Sequence, residues 1–555
     1  MNSLILKHAI VNALEHNGKA DTNAVLGKIL AEDASLKAKI KELLPEIGKV
    51  VSEINSLSLE QQKKKFDEMK FTIYKKEKEE GGLPELSEAK IGKVVMRIAP
   101  FPSGPLHIGN ARMVVLNDEY TKKYKGKLFL VIDDTIGSEE KFILPEAYKL
   151  IPEGLKWLGV KWNKTIYKSD RMKIFYKFAE LLIKKNIAYV CECETRVLRE
   201  NREKGIVCVH RDHDVKTNLK KWQMMLKGKY KPGQAIVRLK TDMQNPDPAF
   251  RDRVLLRMDN RKHPRVGKKY RVWPMLEFSW AIDDYLLGVT HILRGKQLVI
   301  EDLMENFIWE KLGWPKKVFV HHGMIRIKDV EGKLSKSESR RLVEQKVYSG
   351  WDDPRTWSFQ ALARRGIQPQ AVRNFILALG LSEADVEIPL EILYSENRKL
   401  IDAQANRYFA VLDPVEISVA KAPKINNIKI GLHPDFPKRG KRKIAVKTNK
   451  IFIEREDFEK LFEQNVGLIN LFTVNLKKDA KFVSKEIGYE LQKIHWVSEP
   501  NTKIKIVMPN GKVITALAEK EVKNLKKDSI IQFYRVGFCR VDKAGKETVL
   551  YFTHK

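Results

Sequence analysis

The chain has 555 residues, 43% apolar and 9% aromatic. That composition excludes a disordered or fibrous polymer and leaves room for several domains of about 100–200 residues each. Lysine and arginine number 103 against 71 acids, a net charge of +32, which favours a polyanionic partner, nucleic acid first, unless the source proteome is lysine-rich throughout. Four cysteines are too few for a disulfide scaffold and point to a reducing cytoplasm, and no run approaches the roughly 18 apolar residues of a membrane span.

In chain order, residues 1–90 read as a helical appendage and linker. Leu4, Ile5, Ala9, Ile10, Ala13 and Leu14 form one apolar stripe, and Ile47, Val50, Val51, Ile54 and Leu57 form a second. Ser58 with Gln61 has the spacing of a capping box, and "KKEKEEGGLPELSEAK" is a charged linker. From Gly92 the pattern becomes strand ("KVVMRIA"), Pro/Gly loop, helix from about Leu106 to Tyr124 ended by Gly126, then strand ("KLFLVI"). This is a βαβ unit with parallel strands. Helical patterns recur at Leu144–Leu158 and Arg171–Asn186, and strands at "THILRG" and "VFVHHGMIRI". Residues 191–275 interrupt this pattern with cysteines and short strands. Residues 351–408 are helical, and the remainder alternates as β-structure with turn residues between strands, a barrel or sandwich.

Two stretches carry candidate chemistry. In "RIAPFPSGPLHIGNARM" a tight loop joins a strand to a helix start. The first N–H groups of a helix lack partners and sit at its positive dipole end, so such a turn can hold phosphate. Gly104 and Gly109 allow close backbone approach, Pro100, Pro102 and Pro105 restrict the loop, and His107 and Asn110 share one face of the first turn. A histidine merely capping the helix is the structural alternative. Far downstream, "EGKLSKSESRR" is a basic loop on a glycine hinge. Lys333 and Lys336 can meet β- and γ-phosphates, with Ser335 and Ser337 donating hydrogen bonds, as charge builds on a departing pyrophosphate. A solvated surface loop is the alternative.

A third constellation is Cys191-x-Cys193 followed by Cys208-x-His210. Three thiolates and an imidazole are the donor count of a closed tetrahedral zinc site. Buried cysteines beside a basic loop are the alternative, and His213 is a competing ligand. Cys539 reads as a core residue of a late strand.

"PLHIGN" and "KLSKS" resemble the two signature boxes of class I aminoacyl-tRNA synthetases. With "GKLFLVIDDT", "HPRVGKKYRVWP", "DDYLLGVTHILRGK", "GWDDPRTWSFQALARRGI" and "ENRKLIDAQANRYF", the resemblance is to archaeal-type glutamyl-tRNA synthetases, from about residue 90 onward. It implies an α/β fold: a Rossmann-type parallel-sheet catalytic core (91–190 and 276–350), an acceptor-binding insertion with a zinc site (191–275), a helical stem-contact region (351–410) and C-terminal β-barrels for the anticodon (411–555). The implied activity is ATP-dependent charging of tRNA(Glu) with glutamate, with Mg²⁺ accompanying ATP and tRNA(Gln) a further candidate substrate.

By the same resemblance His107 and Asn110 hold ATP, Lys336 stabilises the phosphates, Arg97 and Arg294 contact glutamate, and Asp133 holds its α-amino group. Asn110 stands where the first box usually ends in histidine. Phe101, Val131, Leu276 and Gln297-Leu298 also depart from the family pattern and make the implied amino-acid pocket more apolar. A paralogue with shifted amino-acid choice, or a tRNA-binding protein without catalysis, are the alternatives to glutamate charging. The lysines of "HPDFPKRGKRKIAVKTNK" fall where the resemblance puts the anticodon-binding barrel.

Overall fold

The computed structural model describes residues 2–15, 18–32, 40–68, 82–136, 142–328 and 336–555. Contacts divide the chain into two compact units, Met1–Gly82 and Leu83–Lys555.

The first unit is helical: Asn2–Glu15, Thr22–Glu32, Ile40–Asn55 and Leu59–Glu68. The apolar stripes meet, and Ile5, Ala9, Ile10, Ala13, Ile47, Val51 and Ile54 are buried in one cluster. The expected capping box forms, with Ser58 N–H donating to Gln61 Oε1 at 2.9 Å and Gln61 N–H to Ser58 Oγ at 3.3 Å.

The second unit begins with a parallel sheet. Strand β1 (Val95–Ile98) pairs in parallel with β2 (Lys127–Ile132), and β2 with β3 (Lys164–Tyr167). A parallel pair further along the chain, β4 (His291–Gly295) and β5 (Val318–His322), completes the layer. Thr290 joins the two halves: its N–H donates to Val95 O at 2.9 Å, and its Oγ1 accepts from Val95 N–H at 2.9 Å. The strand sequence across the layer is therefore β3, β2, β1, β4, β5. The chain reverses direction beside β1, the switch point at which such sheets bind ligands beyond the strands' carboxyl ends.

Helix α1 (Ala111–Lys123) crosses from β1 to β2. It starts later than the periodicity predicts, because Leu106 and Ile108 bond to another segment and the first turn is the short 3-10 segment Ile108–Asn110. Gly126 ends it for a different reason than expected. Lys125 takes the left-handed backbone (φ 49°), and a Cβ on Gly126 would stand 2.3 Å from Val94 O. Across the core, Arg373 Nη2 bonds Asp118 Oδ2 at 2.6 Å and ties helix Pro369–Leu379 to α1.

Residues 188–274 form a four-stranded antiparallel sheet between the core halves. The helical stretch after residue 351 contains Phe359–Arg364, Pro369–Leu379 and Leu390–Ile401, and it ends before the strand Asn406–Tyr408. Two seven-stranded sheets follow. In one, the end members are Asn406–Tyr408 and Ala410–Val411. In the other they are Lys493–Ile494 and Val497–Ser498. Each pair is nearly continuous in the chain, so each sheet closes on itself as a barrel without free edges. Cys539 is buried in the core of the first, as expected.

Gly126→Ala is expected to destabilise the second unit by about 1–3 kcal/mol, because the new Cβ meets a backbone carbonyl that cannot swing away. Denaturant unfolding read by far-UV circular dichroism checks this, and an unchanged midpoint contradicts it.

Candidate active site

The first motif is stapled to residues beyond the second. Ile108 N–H donates to Trp357 O at 3.1 Å, and Phe359 N–H donates to Leu106 O at 2.9 Å. His107 and Ser358 thus form an antiparallel bridge. Trp357 pays for this with a left-handed backbone, φ 53°, a strain of about 1–3 kcal/mol for a non-glycine residue. Gly104 lies against Trp351, whose ring a Cβ would approach to 3.1 Å. The proline loop is held from the other side, with Pro100 O accepting from Asp133 N–H at 3.1 Å and Pro102 O from Leu144 N–H at 2.9 Å.

On this platform His107 caps the turn. Its Nδ1 accepts from Gly109 N–H at 3.1 Å, and its own N–H donates to Asn110 Oδ1 at 3.2 Å. Gly109 has no Cβ for a direct reason: one would meet His107 Cε1 at 2.9 Å. With Nδ1 accepting, the neutral ring carries its proton on Nε2. Burial, with the Lys336 charge beside it, pushes the imidazole down to about 3.

Lys336 opens helix Lys336–Glu344, whose Arg340 guanidinium lies 4.8 Å from the Phe142 ring. A lysine at a helix N-terminus sits at the positive dipole end, where an anion is the natural complement. Burial lowers its ammonium to about 8. Lys336 and His107 line one pocket with Pro105, Ser339, Trp351, Thr356 and Ser358. The two motifs therefore meet. Ser337 is exposed on the first turn of the same helix, whereas Lys333 and Ser335 lie outside the described residues.

A second cluster sits at the carboxyl ends of β1 and β4. Arg97 makes a two-pronged pair with Asp284, at 2.5 and 2.6 Å. Arg294 pairs with Asp302 and, at 2.7 Å, with Glu305. Asp133 accepts from Lys168, 3.1 Å away, and Lys168 also donates to Ser279 Oγ at 2.7 Å. All these groups are buried. Burial pushes Glu305 up to about 8 and lowers Lys168, against the pull of Asp133. Trp280, Lys168 and Asp284 escaped the sequence reading. The signal was the i, i+4 spacing of Trp280 and Asp284 in "WAIDD", which places both on one helix face toward Arg97. Of the departing positions, Val131 is buried in β2, Phe101 packs against the core that includes the antiparallel sheet, Leu276 and Leu298 are half-buried, and Gln297 is exposed.

Cys191, Cys193, Cys208 and His210 converge, their ligand atoms all within 4.8 Å of one another. His210 faces Cys208 and Cys193 through Nδ1, at 3.2 and 3.4 Å. Its Nε2 lies 3.7 Å from Glu192, which also pairs with Lys221. His213 lies outside the group and contacts Lys221 at 3.4 Å. Soft thiolates with one imidazole fit zinc by donor type and number.

The parallel strands thus carry a histidine-capped turn at their switch point, and Lys336 lines the same pocket. The model for tRNA synthetases class I (E and Q), catalytic domain, matches residues 93–403. Models for the anti-codon binding domains of the same group match residues 405–492 and 493–542. The chain is 45% identical over 577 residues to the glutamate–tRNA ligase of Pyrococcus abyssi, covering 100% of this chain and 99% of the relative. It is 43% identical over 580 residues to that of Pyrococcus furiosus, covering 100% of both. It is 40% identical over 557 residues to that of Methanocaldococcus jannaschii, covering 99% of this chain and 98% of the relative. The chain belongs to the class I tRNA synthetases of the E and Q group.

Because the folded state holds His107 neutral, its ring is expected to stay unprotonated down to pH 5. Histidine-selective NMR checks this: the His107 resonance should not move between pH 8 and 5, and a midpoint near the ordinary value of about 6.5 contradicts the described burial.

Proposed function

We propose that the chain is a glutamate–tRNA ligase that activates glutamate with ATP and transfers it to the 3′ end of tRNA(Glu). The observation that carries this reading is the meeting of Lys336 with His107 in one pocket, in a chain whose full-length relatives are glutamate–tRNA ligases. The same relatives disfavour the two alternatives, a changed amino acid and a non-catalytic binder.

In the first step an α-carboxylate oxygen of glutamate attacks the α-phosphorus of ATP. The bond to the bridging oxygen breaks and pyrophosphate leaves with its electron pair. In the second, a ribose hydroxyl of the terminal nucleotide attacks the adenylate's carbonyl carbon, and AMP departs. No side chain forms a covalent bond, so catalysis is positioning and charge stabilisation. Gly104 and Gly109 let Trp351 and His107 close on the loop, which fixes the turn that faces the nucleotide. His107 offers Nε2–H, and Asn110 fixes the turn. Lys336 meets the charge that accumulates on the leaving phosphates, and that negative charge favours its protonated form. Lys333, Ser335 and Ser337 complete the phosphate contacts. ATP arrives with Mg²⁺, which offsets the polyphosphate charge.

Arg97 and Arg294 receive the carboxylates, since a guanidinium fork matches a carboxylate edge, and Asp133 receives the ammonium. Cys191, Cys193, Cys208 and His210 would hold a structural zinc that braces the insertion against the acceptor end. The net +32 charge suits tRNA, with 351–410 toward the stem and the barrels toward the anticodon. Among the described residues no helix is long and apolar enough to cross a membrane, and we place the chain in the cytoplasm.

ATP–pyrophosphate exchange over all amino acids, with tRNA(Glu) and separately tRNA(Gln) present, tests this. Glutamate is expected to support exchange above every other amino acid, and Lys336→Ala to lower its kcat by about 10²–10³, the usual loss when one charge-stabilising donor is removed. Exchange with a different amino acid, or an unaffected Lys336→Ala variant, contradicts the proposal.

A further inference from the structure

The groups assigned to the amino acid share one neighbour. The cationic centres of Arg97, Arg294 and Lys168 lie 4.6, 4.9 and 5.2 Å from the ring of Trp280. Three like charges round a single ring repel one another. The negative face of the indole and the carboxylates of Asp284, Asp302 and Asp133 hold them in place, and Glu305 accepts a hydrogen bond from Arg294. Trp280 is only 5% exposed. Its indole N–H is buried and meets no acceptor among the described residues, so a donor stands unmet at the centre of a site built for carboxylates.

Every charge that would recognise the substrate already has an internal counterpart: Lys168 on Asp133 in place of an ammonium, and Asp284 on Arg97 in place of a carboxylate. Substrate binding exchanges these partners. The indole is a neutral ring that both guanidinium groups share.

We propose that Trp280 is the specificity-determining residue of the amino-acid site. It holds Arg97 and Arg294 against one shared ring, and by filling the room beside them it limits the length of side chain accepted. This rests on the glutamate-charging reading.

The test compares the intact protein with Trp280→Phe, Trp280→Leu and Trp280→Ala in ATP–pyrophosphate exchange, with tRNA(Glu), using glutamate, aspartate and 2-aminoadipate, which is longer by one methylene. Trp280→Ala is expected to raise the KM for glutamate about 10-fold or more while the KM for ATP changes less than about 2-fold. The preference for glutamate over 2-aminoadipate should fall by about 10-fold or more, the scale on which one methylene is discriminated. Trp280→Phe keeps a ring face and should recover most of the glutamate KM. Trp280→Leu carries the same comparison if the alanine variant does not fold. Unchanged glutamate KM and unchanged length preference in the variants overturn the proposal, as does a loss shared equally by glutamate and ATP. Wild-type exchange confined to some other amino acid overturns instead the reading beneath it, and the same variants then measure Trp280 against that amino acid.

Discussion

Two backbone hydrogen bonds, Ile108 to Trp357 and Phe359 to Leu106, hold the first motif's turn against the segment that follows the second. Without them a proline-rich loop and a distant basic helix would be separate surface features. With them, Trp351, Thr356 and Ser358 line one pocket together with His107 and Lys336. The strained backbone of Trp357 shows that the surrounding core over-determines this contact. The parallel sheet supplies the foundation, since β1 delivers the loop and β2 ends where Asp133 bonds its Pro100 carbonyl. Burial then does the electrostatic work: it keeps His107 neutral and weakens the hold of Lys336 on its proton.

The cluster of Arg97 and Arg294 follows a different logic. Arg97 and Arg294 are buried charges, and buried charges persist only when paired and hydrogen-bonded. Each has its acid, and Trp280 stacks among them. The apolar character read from Phe101, Val131 and Leu276 is met by a buried Val131, a core-packed Phe101 and a half-buried Leu276. The charges themselves form a network that no one segment reveals.

What was legible in the sequence was whatever depends on neighbours in the chain. The Ser58–Gln61 box, the apolar stripes of the first unit, the strand–loop–helix around His107 and the spacing of the three cysteines with His210 are local patterns, and the structure forms each of them. The late start of α1 was not legible, because it follows from hydrogen bonds to Trp357 and Phe359. Gly126 looked like an ordinary helix stop, yet its lack of a side chain answers to Val94 across the strand. Lys168 and Asp284 were missed for the same reason. A lysine after a strand and an acid on a helix acquire meaning only when folding sets them against Asp133 and Arg97.

The central physical claim is that His107 and Lys336, from segments far apart in the chain, act on one bound ATP. A double-mutant cycle measures this directly, using single-turnover adenylate formation in wild type, His107→Asn, Lys336→Met and the double variant. Groups that share one ligand give losses that fail to add, with a coupling of about 0.5–3 kcal/mol. Losses that add within about 0.3–0.5 kcal/mol, as for independent sites, would contradict a shared nucleotide.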